Sequence, residues 1–215
     1  MPETPIVERA LPPQSLILFH GLGSDGDDMR GLAQSLSWSG RLLCPDAAPR
    51  PVTLNAGFVM RAWFDILGLT PDAPVDEAGI RQAVAQARQL IEAERAAGVP
   101  AERIFIGGFS QGGVVALHAA LRHPERLGGV LALSTWLPLR HVLAAEHQPA
   151  ALATPIFMGH GTRDDMVPLA SAERARDALR ELGCRDLVFR TYPMAHSVGG
   201  EELADLRAWL AHHLG

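Results

Sequence analysis

A chain of 215 residues, 47% hydrophobic and 20% charged, has the balance of a globular protein, and it is long enough to bury a core without staples and to form one domain over residues 1–215. The formal net charge of −5 argues against a nucleic-acid partner or an anionic membrane surface, since either favours a basic face. No apolar run reaches the ~18 residues of a membrane span and no secretion signal is visible, so the expectation is a cytoplasmic protein without stable membrane insertion, with Cys44 and Cys184 reduced.

The first expected strand covers residues 15–20, a short apolar run that suits a strand buried on both faces. It leads into His20-Gly-Leu-Gly23, a glycine-rich turn at a strand end. The stretch Gly21-Leu-Gly-Ser-Asp-Gly26 also matches G-x-G-x-x-G, with Asp46 about twenty residues on. A nicotinamide-dependent dehydrogenase is nonetheless disfavoured, because Asp25, Asp27 and Asp28 set negative charge where a pyrophosphate would bind. A second strand is expected at residues 41–44. Ile80, Val84, Ala87 and Ile91 then step at helical spacing, with Asp76 as N-cap and Gly98 and Pro100 as the stop.

The next strand, residues 103–107, runs into Gly108-Phe-Ser110-Gln-Gly112-Gly113 and an apolar helix over residues 114–121. This is G-x-S-x-G with a strand before it and a helix after it, the context of a nucleophile elbow. The glycines fit because residues two before and two after the serine crowd together on so sharp a turn. Ser110 would sit at a helix N-terminus, where the dipole favours a developing oxyanion.

Strands expected at residues 129–134, 155–159 and 187–192 alternate with helical patterns carried by Ala175, Leu179 and Leu182, and by Leu203, Leu206 and Leu210. Such alternation means α/β with a mainly parallel sheet flanked by helices, and it directs attention to strand-end loops. One of these holds His160-Gly-Thr-Arg-Asp164-Asp165; another holds Pro193-Met-Ala-His196. Serine, acid and histidine thus follow in the order of the α/β-hydrolase triad. Spacing alone leaves Asp164 and Asp165 equal as the acid. The oxyanion donors should be the Gln111 N–H and an N–H of the 20–23 loop, placed at Leu22. The remaining histidines, among them His118 and His123, read as structural or exposed. No H-E-x-x-H or Cys/His cluster is present, so neither a metal nor a cofactor is expected.

On these residues the sequence resembles the small carboxylesterase group that also contains acyl-protein thioesterases and lysophospholipases. The likeness is carried by Phe19-His-Gly-Leu-Gly23, Val52-Thr-Leu-Asn55, Met60-Arg-Ala-Trp-Phe-Asp65, Asp76-Glu-Ala-Gly-Ile80, Gly107-Gly-Phe-Ser-Gln-Gly-Gly113, Leu133-Ser-Thr-Trp-Leu-Pro138, His160-Gly161 and Pro193-Met-Ala-His196. It implies an α/β-hydrolase fold without a large lid domain. It also implies Ser110, Asp164 and His196 as the triad, with Leu22 and Gln111 as oxyanion donors. The residue after the acid is often proline in the group and is Asp165 here. The implied reaction is hydrolysis of short- to medium-chain carboxylic esters through an acyl-enzyme; lysophospholipase or acyl-protein thioesterase activity is the alternative. The partner is then a small-molecule or lipid-like ester, and homodimerisation is implied by the likeness alone. Leu67, Leu69, Trp136 and Val167 are expected to wall the acyl pocket. A non-catalytic binding protein on this scaffold is the reading from another class, and retention of all three triad residues weighs against it.

Overall fold

The computed structural model describes residues 13–68 and 73–215. Six strands form one parallel sheet: β1 (Ser15–Phe19), β2 (Arg41–Leu43), β5 (Ile104–Phe109), β6 (Gly129–Leu133), β7 (Ile156–Gly161) and β8 (Leu187–Tyr192), in the order β2-β1-β5-β6-β7-β8. A separate antiparallel hairpin pairs β3 (Pro49–Val52) with β4 (Phe58–Arg61). Six α-helices accompany them: α1 (Gly26–Ser35), α2 (Glu77–Ala96), α3 (Gln111–Leu121), α4 (Arg140–Glu146), α5 (Leu169–Leu182) and α6 (Gly200–Leu214).

The two-residue period of the strands divides the core in two. Ile17, Phe19, Ile106, Val130 and Met158 face one way and pack with α2, α3 and α5. Leu16, Leu18, Phe105, Leu131 and Phe157 face the other way, toward α1 and α6. The four inner strands are buried on both faces and read as unbroken apolar runs, while the edge strands β2 and β8 are partly exposed; all six correspond to the strands expected from the sequence. Residues of α3 are buried all round, because that helix lies between the sheet and α2. No large lid domain covers the sheet's carboxyl edge, and no helix of the described residues is long and apolar enough to cross a membrane. Both cysteines are free thiols.

Helix ends follow from local chemistry. Asp76 caps α2 by accepting from the Gly79 N–H, and Gly98 beyond its end takes φ +89°. Asp25 caps α1, accepting from the N–H groups of Asp27 and Asp28, which lie in the first turn where the dipole favours acids. The acidic run that argues against a pyrophosphate therefore starts a helix. Asp46 accepts the Gly26 N–H at 2.8 Å, so the two ends of the apparent dinucleotide fingerprint bond to each other.

Candidate active site

Strand β5 ends at Phe109 and α3 begins at Gln111, so Ser110 alone makes the turn. It has φ +53° and ψ −116°, a strained region for a residue with a side chain. Bonds to both neighbours hold it there: its N–H donates to the Leu133 carbonyl at 2.8 Å, and the Thr135 hydroxyl donates to its carbonyl at 2.7 Å. A Cβ on Gly112 would overlap the Phe19 carbonyl, and one on Gly108 would overlap Gly112. Both glycines are thus required by close backbone approach.

The other two predicted triad residues meet directly. Asp164, on the loop after β7, has its side chain fully buried, and its Oδ2 lies 2.7 Å from His196 Nδ1. Its Oδ1 accepts the N–H groups of Met166 at 3.0 Å and Val167 at 2.8 Å. The carboxylate is therefore held from both sides and presents one oxygen to the imidazole. Asp165 is exposed and has no hydrogen bond or ion pair among the described residues. The pair left equal by spacing is thus separated by burial and contact. The His196 ring packs on Phe109, centroids 4.6 Å apart, beside the nucleophile turn.

The glycine-rich loop after β1 is tied down on each side of Leu22. The Gly23 N–H donates to the Arg61 carbonyl at 2.9 Å, and the Gly21 carbonyl accepts from His20 Nδ1 at 2.7 Å. His20 Nε2 accepts the Ala47 N–H, which fixes the tautomer with the proton on Nδ1. Burial holds His20 below the usual histidine pKa and keeps it neutral for this role. Leu22 and Ser110 line one cavity, and Gln111 opens α3, where the first N–H groups have no intrahelical acceptor.

That cavity, of about 1230 Å³, lies at the sheet's carboxyl edge and is lined by both Ser110 and His196. One arm is walled by Ile66, Trp136, Leu137, Val167 and Ala178; the other runs toward α1 and α6 past Met29, Leu32, Val198 and Leu203. Of the predicted wall residues, Trp136 and Val167 line it. Leu67 does not: the chain alternates here, Ile66 and Gly68 face the cavity, and Leu67 is 39% exposed beside a small recess shared with Trp136. Leu69 lies outside the described residues.

Two residues, Trp63 and His160, escaped the sequence reading as site residues, as did the side-chain role of Gln111, which was expected only as a main-chain donor. The Gln111 side chain accepts the Trp63 N–H and donates to the Phe64 carbonyl, both at 2.8 Å, clamping the tryptophan–phenylalanine segment to the nucleophile helix. Trp63 Nε1 in turn donates to the His20 carbonyl. His160, kept below its ordinary pKa by burial, hydrogen-bonds the Val167 carbonyl at 2.8 Å and so braces the acid loop. The glutamine directly after the serine, and the histidine that opens the five-residue run ending at Asp164, were the available signals. Among the described residues no group of three or more His, Cys, Asp or Glu side chains is placed to hold a metal ion.

A family model described as Phospholipase/Carboxylesterase matches residues 2–214. Acyl-protein thioesterase 1 of Mycosarcoma maydis is 39% identical over 217 residues, covering 93% of this chain and 90% of that protein. A probable carboxylesterase of Oryza sativa subsp. japonica is 35% identical over 218 residues, covering 98% of this chain and 82% of that one. The crystal structure of Arabidopsis thaliana SOBER1 superposes with a TM-score of 0.89 at 33% identity, covering 94% of this chain and all of that one. The chain belongs to the phospholipase/carboxylesterase family and is a hydrolase of the α/β-hydrolase superfamily.

Proposed function

We propose that the chain is a serine carboxylesterase acting on short- to medium-chain acyl esters, with Ser110 as nucleophile, His196 as base and Asp164 as orienter. The observation that carries this reading is the 2.7 Å contact between His196 Nδ1 and the buried Asp164, in a cavity that Ser110 also lines. Asp164 selects the tautomer with the proton on Nδ1, which leaves Nε2 free to take the serine proton. Ser110 Oγ bonds to the ester carbonyl carbon as that proton passes to Nε2. The resulting oxyanion faces the N–H groups of Leu22 and Gln111 and the positive end of α3. His196 then gives its proton to the leaving oxygen, the alcohol departs, and water repeats the sequence to release the acid.

His196 stands on the loop that feeds α6, so the leaving group departs along the α1–α6 arm, past Val198 and Leu203. The acyl chain then occupies the arm walled by Trp136, Leu137 and Val167. Acyl-protein thioesterase activity is the second reading, favoured by the relative of that name. The chemistry at Ser110 is the same for either.

Hydrolysis of p-nitrophenyl esters from acetate to palmitate, beside acyl thioesters of matched length, tests both. Ser110→Ala should lower kcat by about 10⁴-fold or more while the protein stays folded. A folded wild type that turns over no ester and no thioester would overturn the enzymatic reading.

A further inference from the structure

We propose that His118 and Arg122, one turn apart on α3, form a positioning pair that fixes the acyl-pocket wall and so sets the acyl-chain preference. The proposal rests on the reading of the Trp136–Val167 arm as the acyl site.

The wall is the segment from Trp136 through α4, of which Trp136, Leu137, Pro138, Leu139, Arg140 and His141 line the cavity. A helix of seven residues has little stability of its own, and this one starts from Leu139 in the left-handed region at φ +52°. That conformation is strained for a residue with a side chain and persists only where contacts on either side enforce it. The first contact comes from α3, the second from its C-cap residue Arg122 together with Arg81 of α2. At the start of the wall His118 Nε2 lies 3.0 Å from the Pro138 carbonyl. At its end Arg122 Nε donates to Glu146 Oε2 at 2.8 Å, and Glu146 also receives Arg81 of α2 at 2.7 Å. The two clamps are joined, since Arg122 Nη1 lies 2.6 Å from His118 Nδ1.

This geometry leaves one assignment of protons. Arginine only donates, so Nδ1 of His118 is the acceptor and Nε2–H is the donor to Pro138. His118 is fully buried, and burial together with the adjacent guanidinium drives its pKa down to about 3, so the neutral ring is retained throughout the working range. Because Ser110 is the N-cap of α3 and Arg122 its C-cap, a single helix spans from the proposed nucleophile to the two residues that anchor the wall. The distance from the reacting carbon to the wall is therefore set by the length of α3 and by this pair, without any contact to substrate.

The test compares kcat/KM for p-nitrophenyl acetate and for the longest well-accepted acyl ester in four variants. His118→Ala should flatten the chain-length profile, lowering the ratio of long to acetyl ester by about tenfold, the scale on which apolar pocket contacts discriminate. Acetate turnover should stay near wild type. His118→Gln keeps a donor for Pro138 and an acceptor for Arg122, and should restore the profile. Leu121→Ala, a buried truncation on the same helix, should lower Tm without moving the ratio. Trp136→Ala alters the wall itself. If it shifts the profile while His118→Ala does not, the positioning pair is wrong; if Trp136→Ala leaves the profile unmoved, the acyl-arm reading falls and the proposal with it. Should His118→Ala fail to fold, Arg122→Gln combined with Arg81→Gln removes both guanidinium partners of Glu146 and so releases the far clamp, and an unchanged profile there overturns the proposal equally.

Discussion

Asp164 and Asp165 are chemically identical neighbours with opposite surroundings. The first accepts two backbone N–H groups and the His196 ring within a closed loop; the second faces water. Asp164→Asn replaces an acceptor by an amide that can donate to Nδ1, favouring the tautomer in which Nε2 is protonated and unable to serve as base. A fall in kcat of about 10³–10⁴-fold follows, with a small change in KM. Asp165→Asn removes a solvated charge and should change kcat by less than about threefold, as exposed charges contribute little. Steady-state kinetics of the two variants on one ester decides the matter, and the opposite ranking would reassign the acid. Spacing could not separate the two residues because both lie on one loop; only burial and the direction of the chain distinguish them.

At the scale of elements, several segments that look independent in the sequence are one hydrogen-bonded assembly. Gln111 joins the nucleophile helix to Trp63 and Phe64. Asp65 accepts from Thr53 in the hairpin turn, and its own N–H donates to Asp76, the cap of α2. The glutamine after Ser110 thus has a structural role through its side chain, beside the oxyanion role proposed for its main-chain N–H. Gln111→Ala leaves the Trp63 N–H and the Phe64 carbonyl buried without partners, at a cost of about 2–4 kcal/mol. For a chain of this size that lowers Tm by roughly 5–10 °C. The main-chain donor survives, so kcat for acetate should fall far less than in Ser110→Ala; an unchanged melting curve would show that the clamp is unimportant. Parallel strands and amphipathic helices were legible because buried runs and 3.6-residue spacing are local signals. The β3–β4 hairpin was not: Pro49 and Pro51 argue against a strand, and the three-residue apolar run Phe58-Val59-Met60 is too short to mark its partner. Helix α4 escaped for the opposite reason, since it is held by His118 and Arg122 and not by its own periodicity.

Across the whole molecule, the proposed triad draws on the loops after β5, β7 and β8, and its geometry depends on how α6 seats on the sheet. Glu202 lies at that seat. It is completely buried in the first turn of α6, with its carboxyl group against Gly159 of β7, at a place where a Cβ would overlap it. Neither carboxyl oxygen has a hydrogen-bond partner among the described residues. Burial raises its pKa to about 8, and the nearby Gly199 N–H offsets only part of that rise. Because the folded pKa exceeds the unfolded value of 4.5, the folded protein binds more protons than the unfolded chain between those two limits. The neutral acid's contribution to stability is complete below about pH 4.5 and is progressively lost as pH rises toward about 8, to a total on the order of a few kcal/mol. Glu202→Gln keeps the shape and removes the ionisation. Its Tm should exceed that of the wild type by several degrees at alkaline pH, while the two converge in mild acid. Thermal melts of both proteins across this range provide the check. A constant difference in Tm at every pH would mean that Glu202 does not titrate between its folded and unfolded values, and that alkaline loss of stability arises elsewhere. With the predicted pattern, loss of activity in alkali would come from loosening of α6 behind His196 and not from the triad itself.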